Sequence, residues 1–147
     1  MSGFLLDVNV LLALAWPNHV HHAAAHAWFR KAQKQGFATC TATELGFVRL
    51  SSHPAFTLQH VSPGEARTLL RRLTSLPHYQ RWSDPPGGVL GPELDSLFEL
   101  VLSHGFVTDA WLLATAEARG GKLATFDSPL RKLLPAHVEW IRSGEAP

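Results

Sequence analysis

Cysteine is nearly absent from this chain. The 147 residues contain one, Cys40, so no internal disulfide can form, and such usage fits a reducing compartment. Cys40 itself reads as a small buried residue on a strand. Long apolar runs are missing too. No stretch reaches the roughly 20 residues of a membrane span. The first residues lack the basic start of a signal peptide, and Asp7 interrupts their apolar run. A soluble cytoplasmic protein without a membrane partner is therefore expected. Charge is scarce at 17%, with 13 Lys and Arg against 12 Asp and Glu. That balance neither demands nor excludes a polyanionic partner. Repeats, low-complexity tracts and linkers are lacking. The "GG" at 120–121 follows a helix and precedes a strand. This reverses the order of a nucleotide-binding fingerprint.

What is present is apolar. Hydrophobic residues make up 46% of the chain, and the length suits one domain, expected to span 1–147. Gly3–Asp7 reads as a buried strand. Asn9 is a plausible cap for a short helix over Val10–Trp16. A helix is predicted over Val20–Gln35 and closed by Gly36. Phe37–Cys40 follows as a strand. Thr41 with Glu44 forms a capping-box pattern for the next helix. "SPGE" at 62–65 opens a helix to Leu76, with Ser62 as cap and Pro63 at the first position. A strand is expected within 78–84, then a loop at "PPGG" and a helix over Pro92–His104. Thr108 caps a helix to Arg119. Lys122–Phe126 and Val138–Ile141 read as the last strands. Apolar strands without strict alternation, spaced by helices, indicate an α/β fold with a parallel sheet covered on both faces.

The few acids fall at telling places. Asp7 ends the first strand, inside "GFLLDVNVLLAL". Glu44 lies in the first turn after the second strand, Asp109 opens a helix, and Asp127 ends "KLATF". In an open α/β sheet, strand C-termini and helix N-termini share one edge, where ligands bind. Each acid has a plainer role available: Glu44 in a capping box, Asp109 beside a helix dipole, Asp127 in a turn. Asp7 has the least, because a buried unpaired carboxylate is costly. Converged, the four would make an oxygen-rich site suited to Mg²⁺ or Mn²⁺. Such ions catalyse phosphodiester hydrolysis by activating water and clamping the phosphate.

Three segments carry a family resemblance: "FLLDVNVLLAL", "TATELGFVRL" and "VTDAWLLATAEARGGKLATFD". Together they resemble a PIN-domain ribonuclease of the VapC type, the toxin of a bacterial toxin–antitoxin pair. The resemblance implies a three-layer α/β/α sandwich with a mainly parallel central sheet. It also implies an Mg²⁺-dependent endoribonuclease, with Mn²⁺ able to substitute, that leaves 5′-phosphate and 3′-hydroxyl ends on its RNA substrate. A VapB-type antitoxin partner and a homodimer follow from it as well. By position, Asp7, Glu44, Asp109 and Asp127 fall on the acidic quartet, as catalytic and metal-holding residues. Asn9 and Thr125 fall on supporting polar positions. The segment 77–91 matches no part of the pattern.

His22 and His26 stand one helical turn apart, a zinc-like spacing without a third ligand, and read as a solvated or edge-of-site face. Arg67, Arg71 and Arg72 share a predicted helix. Arg131 and Lys132, just beyond Asp127, are possible RNA contacts. Trp28 and Trp111 read as core, whereas Trp82, beside the loop, is the candidate for a surface role. Two rival functions remain open at this level: an aspartyl-phosphate phosphatase using Asp7, and a catalytically weak domain that binds RNA or a partner. The phosphatase ordinarily wants a second Asp where this chain has Asn9.

Overall fold

The computed structural model describes residues 3–56, 60–101 and 103–143. Five short strands form one sheet: β1 (Phe4–Leu6), β2 (Phe37–Thr39), β3 (Tyr79–Arg81), β4 (Lys122–Thr125) and β5 (Val138–Trp140). Their order is β3-β2-β1-β4-β5, and every neighbouring pair is parallel. Six α-helices accompany them among the described residues: α1 (Val8–Ala15), α2 (His22–Ala32), α3 (Thr41–Ser51), α4 (Pro63–Thr74), α5 (Asp95–Leu100) and α6 (Val107–Ala118). The chain starts in the middle of the sheet, builds outward through β2 and β3, then returns to the other side of β1. The switch point therefore lies between β1 and β4, where an open parallel sheet leaves a crevice at its C-terminal edge.

Strand burial explains the missing alternation. Phe4, Leu5 and Leu6 are all buried, because layers lie on both faces. Phe4 and Leu6 join one cluster with Val10, Leu11, Phe29 and Phe47. Leu5 joins the opposite cluster with Leu112, Leu113, Leu123 and Leu130. These two clusters and the sheet between them make a three-layer α/β/α arrangement. Trp82 belongs to the second cluster at 3% exposure, so the surface role for which it was the candidate does not hold. Its ring fills the space left by Gly121, where a Cβ would come within 2.6 Å of the indole and 2.7 Å of the Gly3 carbonyl.

Helix boundaries differ from expectation for local reasons. Asp7, not Asn9, caps α1: its carboxylate accepts from the Val8 amide at 2.7 Å, satisfying one orphan donor and releasing Asn9 for other bonds. In α3 the Thr43 hydroxyl takes the role expected of Glu44, accepting from the Cys40 amide at 3.0 Å. The predicted Ser62–Glu65 capping box is formed in α4. The helix expected over 92–104 is broken. A 3₁₀ turn at Pro92–Leu94 leads into α5, Val101 turns extended, and a second 3₁₀ turn spans His104–Phe106. Leu102 lies outside the described residues. Ser103, accepting from the Gly105 amide, starts that second turn, so Gly105 sits inside a turn rather than ending a helix. Helix α6 begins one residue before Thr108. His22 and His26 are not a metal pair. Each donates a ring N–H to a carbonyl at the end of α1, Ala13 at 2.7 Å and Leu14 at 2.8 Å, supplying donors that the last helical turn lacks.

Candidate active site at the strand ends

Register builds the site. Leu6 pairs with Ala124 across β1 and β4, so Asp7 and Asp127 leave the same sheet edge from adjacent strands. Helix α6 packs behind them and presents Asp109 in its first turn. One carboxylate oxygen from each of Asp7, Asp109 and Asp127 lies within 4.8 Å of the others. Asp7 is buried, Asp109 half-buried and Asp127 exposed, so the cluster opens to solvent on the Asp127 side.

Thr125 organises this edge. Its buried hydroxyl donates to Asp7 Oδ2 at 2.7 Å. It accepts from Asn9 Nδ2 at 3.3 Å and from the Asp127 amide at 3.1 Å. One proton and two lone pairs are thereby used in full. Asn9 Oδ1 accepts from the Phe126 amide at 3.4 Å, tying α1 to the turn after β4. Thr125 thus touches Asp7 directly, whereas Asn9 reaches it only through the Thr125 hydroxyl and otherwise holds the backbone after β4. We predict that Thr125→Val, which keeps the shape, destabilises the fold by about 1–3 kcal/mol in urea unfolding, because three polar groups lose their partner. Thr125→Ser should restore most of the loss.

Electrostatics follow from burial. Removal from water pushes the Asp7 carboxyl from its ordinary 3.8 up to about 6. Hydrogen bonds from Thr125 and Val8 oppose the rise, and the charge of Asp127 adds to it. Asp109 is pushed to about 6 as well, first by burial and then by Asp7 and Asp127. An all-oxygen set of like charges that resists ionisation is what a hard divalent cation relieves. The donor set therefore fits such an ion, and the three aspartates could hold one.

Glu44 stands outside this trio. Its Oε2 accepts from the Thr39 hydroxyl at 2.8 Å and pairs with Arg81 Nε at 3.3 Å. Arg81 also reaches the Thr41 hydroxyl, and Thr39 shares a 2.6 Å hydrogen bond with the Tyr79 phenol. Arg81 and Tyr79 come from the segment 77–91 and carried no sequence signal beyond lying near a strand end. Arg131 is turned onto the Trp140 ring, with Cζ 3.9 Å from its centroid. Lys132 is exposed. His21 stacks on Phe126 with centroids 4.4 Å apart, bringing the histidine segment against the turn that carries Asp127.

The model of the PIN domain family matches residues 4–133. The chain belongs to the PIN domain family. Among curated proteins this PIN domain is similar to Ribonuclease VapC39 of Mycobacterium tuberculosis, at 44% identity over 86% of this chain and 89% of that protein. It is also similar to Ribonuclease VapC38 of the same organism, at 40% identity over 84% of each chain. Two solved structures share the fold. One is VapBC2 from Rickettsia felis, bound to a DNA fragment from the promoter, with a TM-score of 0.62 and 11% identity, covering 97% of this chain and 100% of that one. The other is VapC20 of Mycobacterium tuberculosis, a sarcin-ricin loop cleaving toxin, with a TM-score of 0.61 and 10% identity over 88% of this chain and 94% of that one. No helix of the described residues is long and apolar enough to cross a membrane.

Proposed function

We propose that this PIN domain is a metal-dependent endoribonuclease and the toxin of a type II toxin–antitoxin pair. The convergence of Asp7, Asp109 and Asp127 at the switch point of the sheet carries this reading. The VapC ribonucleases to which the chain is similar support it. In this reading the three aspartates hold the ion, Mg²⁺ or Mn²⁺, and the chain as a whole acts as one cytoplasmic unit. When bound, the ion supplies an acidified water and neutralises charge growing on the phosphate.

The chain's own residues do the positioning. Asp7 is fixed through both oxygens, so it enters the reaction without reorganising. Asn9 and Thr125 hold the turn that carries Asp127, keeping the third carboxylate over the crevice. Glu44, tethered by Arg81, serves at the rim as the fourth acid of the site. A water oxygen forms the new bond to phosphorus as the bond to the 3′-oxygen breaks. The leaving oxygen gains a proton, giving 5′-phosphate and 3′-hydroxyl ends. No side chain is required as nucleophile. An aspartyl-phosphate route through Asp7 fits poorly, since Asn9 stands where the second acid would be. RNA is the substrate, a VapB-type antitoxin the inhibitor and a homodimer the working form.

Purified protein should cleave RNA with Mg²⁺ or Mn²⁺ and stop when EDTA is added. Cleavage that persists after chelation would remove the ion from the mechanism.

A further inference from the structure

Next to Asp127 the structure holds an arrangement that the metal site does not use. Trp140 pairs with Thr125 across β4 and β5. Its Nε1–H donates to the carbonyl of Phe126 at 3.2 Å, the residue just before Asp127. Two guanidiniums gather on this indole: Arg131 with Cζ 3.9 Å from the ring centroid, and Arg142 at 5.1 Å. Arg131 is further held by donating Nε–H to the Ser128 carbonyl at 3.3 Å. Both arginines are exposed. Trp140 and Arg142 also line a cavity of about 470 Å³ that continues past Trp28 and Lys31. The acid in that lining, Glu139, is engaged, accepting from Trp28 Nε1 at 3.0 Å.

Such a platform does two things. Stacking on an indole orients a guanidinium while leaving outward N–H groups for a second partner. A guanidinium so ordered loses less freedom when it binds a phosphate, which it can meet with two parallel hydrogen bonds. We propose that Arg131, Trp140 and Arg142 form a phosphate-binding clamp. It grips the RNA backbone beside the scissile bond and leads the strand from Asp127 along the Lys31 groove. This rests on the ribonuclease reading for its substrate class, while the clamp is defined by its own residues. In the cavity lining Lys31 and Arg142 face one acid that is already engaged, and Arg131 adds a third cation beside Trp140. The clamp also offsets the repulsion that clustered aspartates exert on phosphates.

The test is equilibrium binding of a fluorescein-labelled oligouridylate of about 12 nucleotides, read by anisotropy in EDTA across a KCl series. Cleavage by the same proteins in Mg²⁺ is followed in parallel. Arg142→Met should weaken binding roughly fivefold and lower the log–log salt slope by about 0.7, the value of one phosphate contact on a single strand. Trp140→Leu keeps every charge, yet should weaken binding at least as much, because both guanidiniums lose their platform. Arg71→Met removes one exposed charge from α4, which packs on α1 and α3 and contributes nothing to this cavity, and should change binding less than twofold. In cleavage, Arg142→Met should raise KM while leaving kcat within about twofold. Equal binding and salt slope for wild type, Arg142→Met and Trp140→Leu would overturn the clamp, as would a wild type that does not bind the probe. If wild type binds with the predicted variant pattern but never cleaves, the clamp stands and the ribonuclease reading fails.

Discussion

Metal-free Asp109→Asn should melt above metal-free wild type at neutral pH, and in Mg²⁺ it should cleave RNA roughly a hundredfold or more slowly. Asp109 makes no side-chain hydrogen bond among the described residues, so the amide forfeits no partner. What it removes is repulsion. At an effective dielectric near 20, two charges about 5 Å apart repel by about 3 kcal/mol before screening and partial protonation reduce the figure, and the carboxylate oxygens here lie within 4.8 Å of one another. A net gain of about 1 kcal/mol corresponds to roughly 3–5 °C for a chain of this size. Mg²⁺ should reverse the order, because an ion bound to the folded state stabilises wild type by mass action and the variant much less. The hundredfold loss corresponds to about 2.7 kcal/mol of transition-state stabilisation. Thermal melts in EDTA and in Mg²⁺, with cleavage rates beside them, check all three effects. A melting point that falls in both conditions would make Asp109 only a helix-start charge.

The second large effect is on pH. Asp7 and Asp109 are each raised in the folded state, to about 6 from an ordinary 3.8. A raised acid favours folding most when protonated. Its contribution is full below about pH 3.8 and is lost as pH climbs through 6. For buried Asp7 the loss amounts to about 3 kcal/mol at most. Half-buried Asp109 adds a smaller loss of the same sign. Metal-free wild type should therefore gain stability between pH 7.5 and 5, and Asp109→Asn should gain less. Ion binding runs the other way, because carboxylates must be ionised to ligate. Mn²⁺ affinity should be nearly flat above pH 7 and fall below 6, approaching a hundredfold per pH unit where two protons must leave. Calorimetric titration at stepped pH reads the slope. An affinity unchanged between pH 7 and 5 would show that neither raised acid is a ligand.

How much of this was legible in the sequence depended on whether a signal was local. Asp7 stood out because its neighbours are apolar, and strand registry then brought it beside Asp127. The Ser62–Glu65 box was legible because all its atoms lie within one turn. Capping at Asp7 was harder to read, because Asn9, two residues on, is an equally good cap in isolation. Only the long-range bonds of Asn9 to Thr125 and Phe126 decide between them. Glu44 read equally as half of a capping box or as one of the four site acids, and its partner Arg81 arrives only with the docking of β3 on β2. Trp82 stood as the surface candidate among the tryptophans because the space it fills is made by Gly121, which is remote in sequence. The helix expected over 92–104 failed because apolar spacing says nothing of Val101 turning extended.

The most direct measurement is the position of the ion. A crystal of the protein soaked in Mn²⁺ and measured at the manganese edge should give an anomalous peak among the carboxylates of Asp7, Asp109 and Asp127. That peak should disappear in Asp109→Asn. A peak elsewhere, or none at saturating Mn²⁺, would contradict the account.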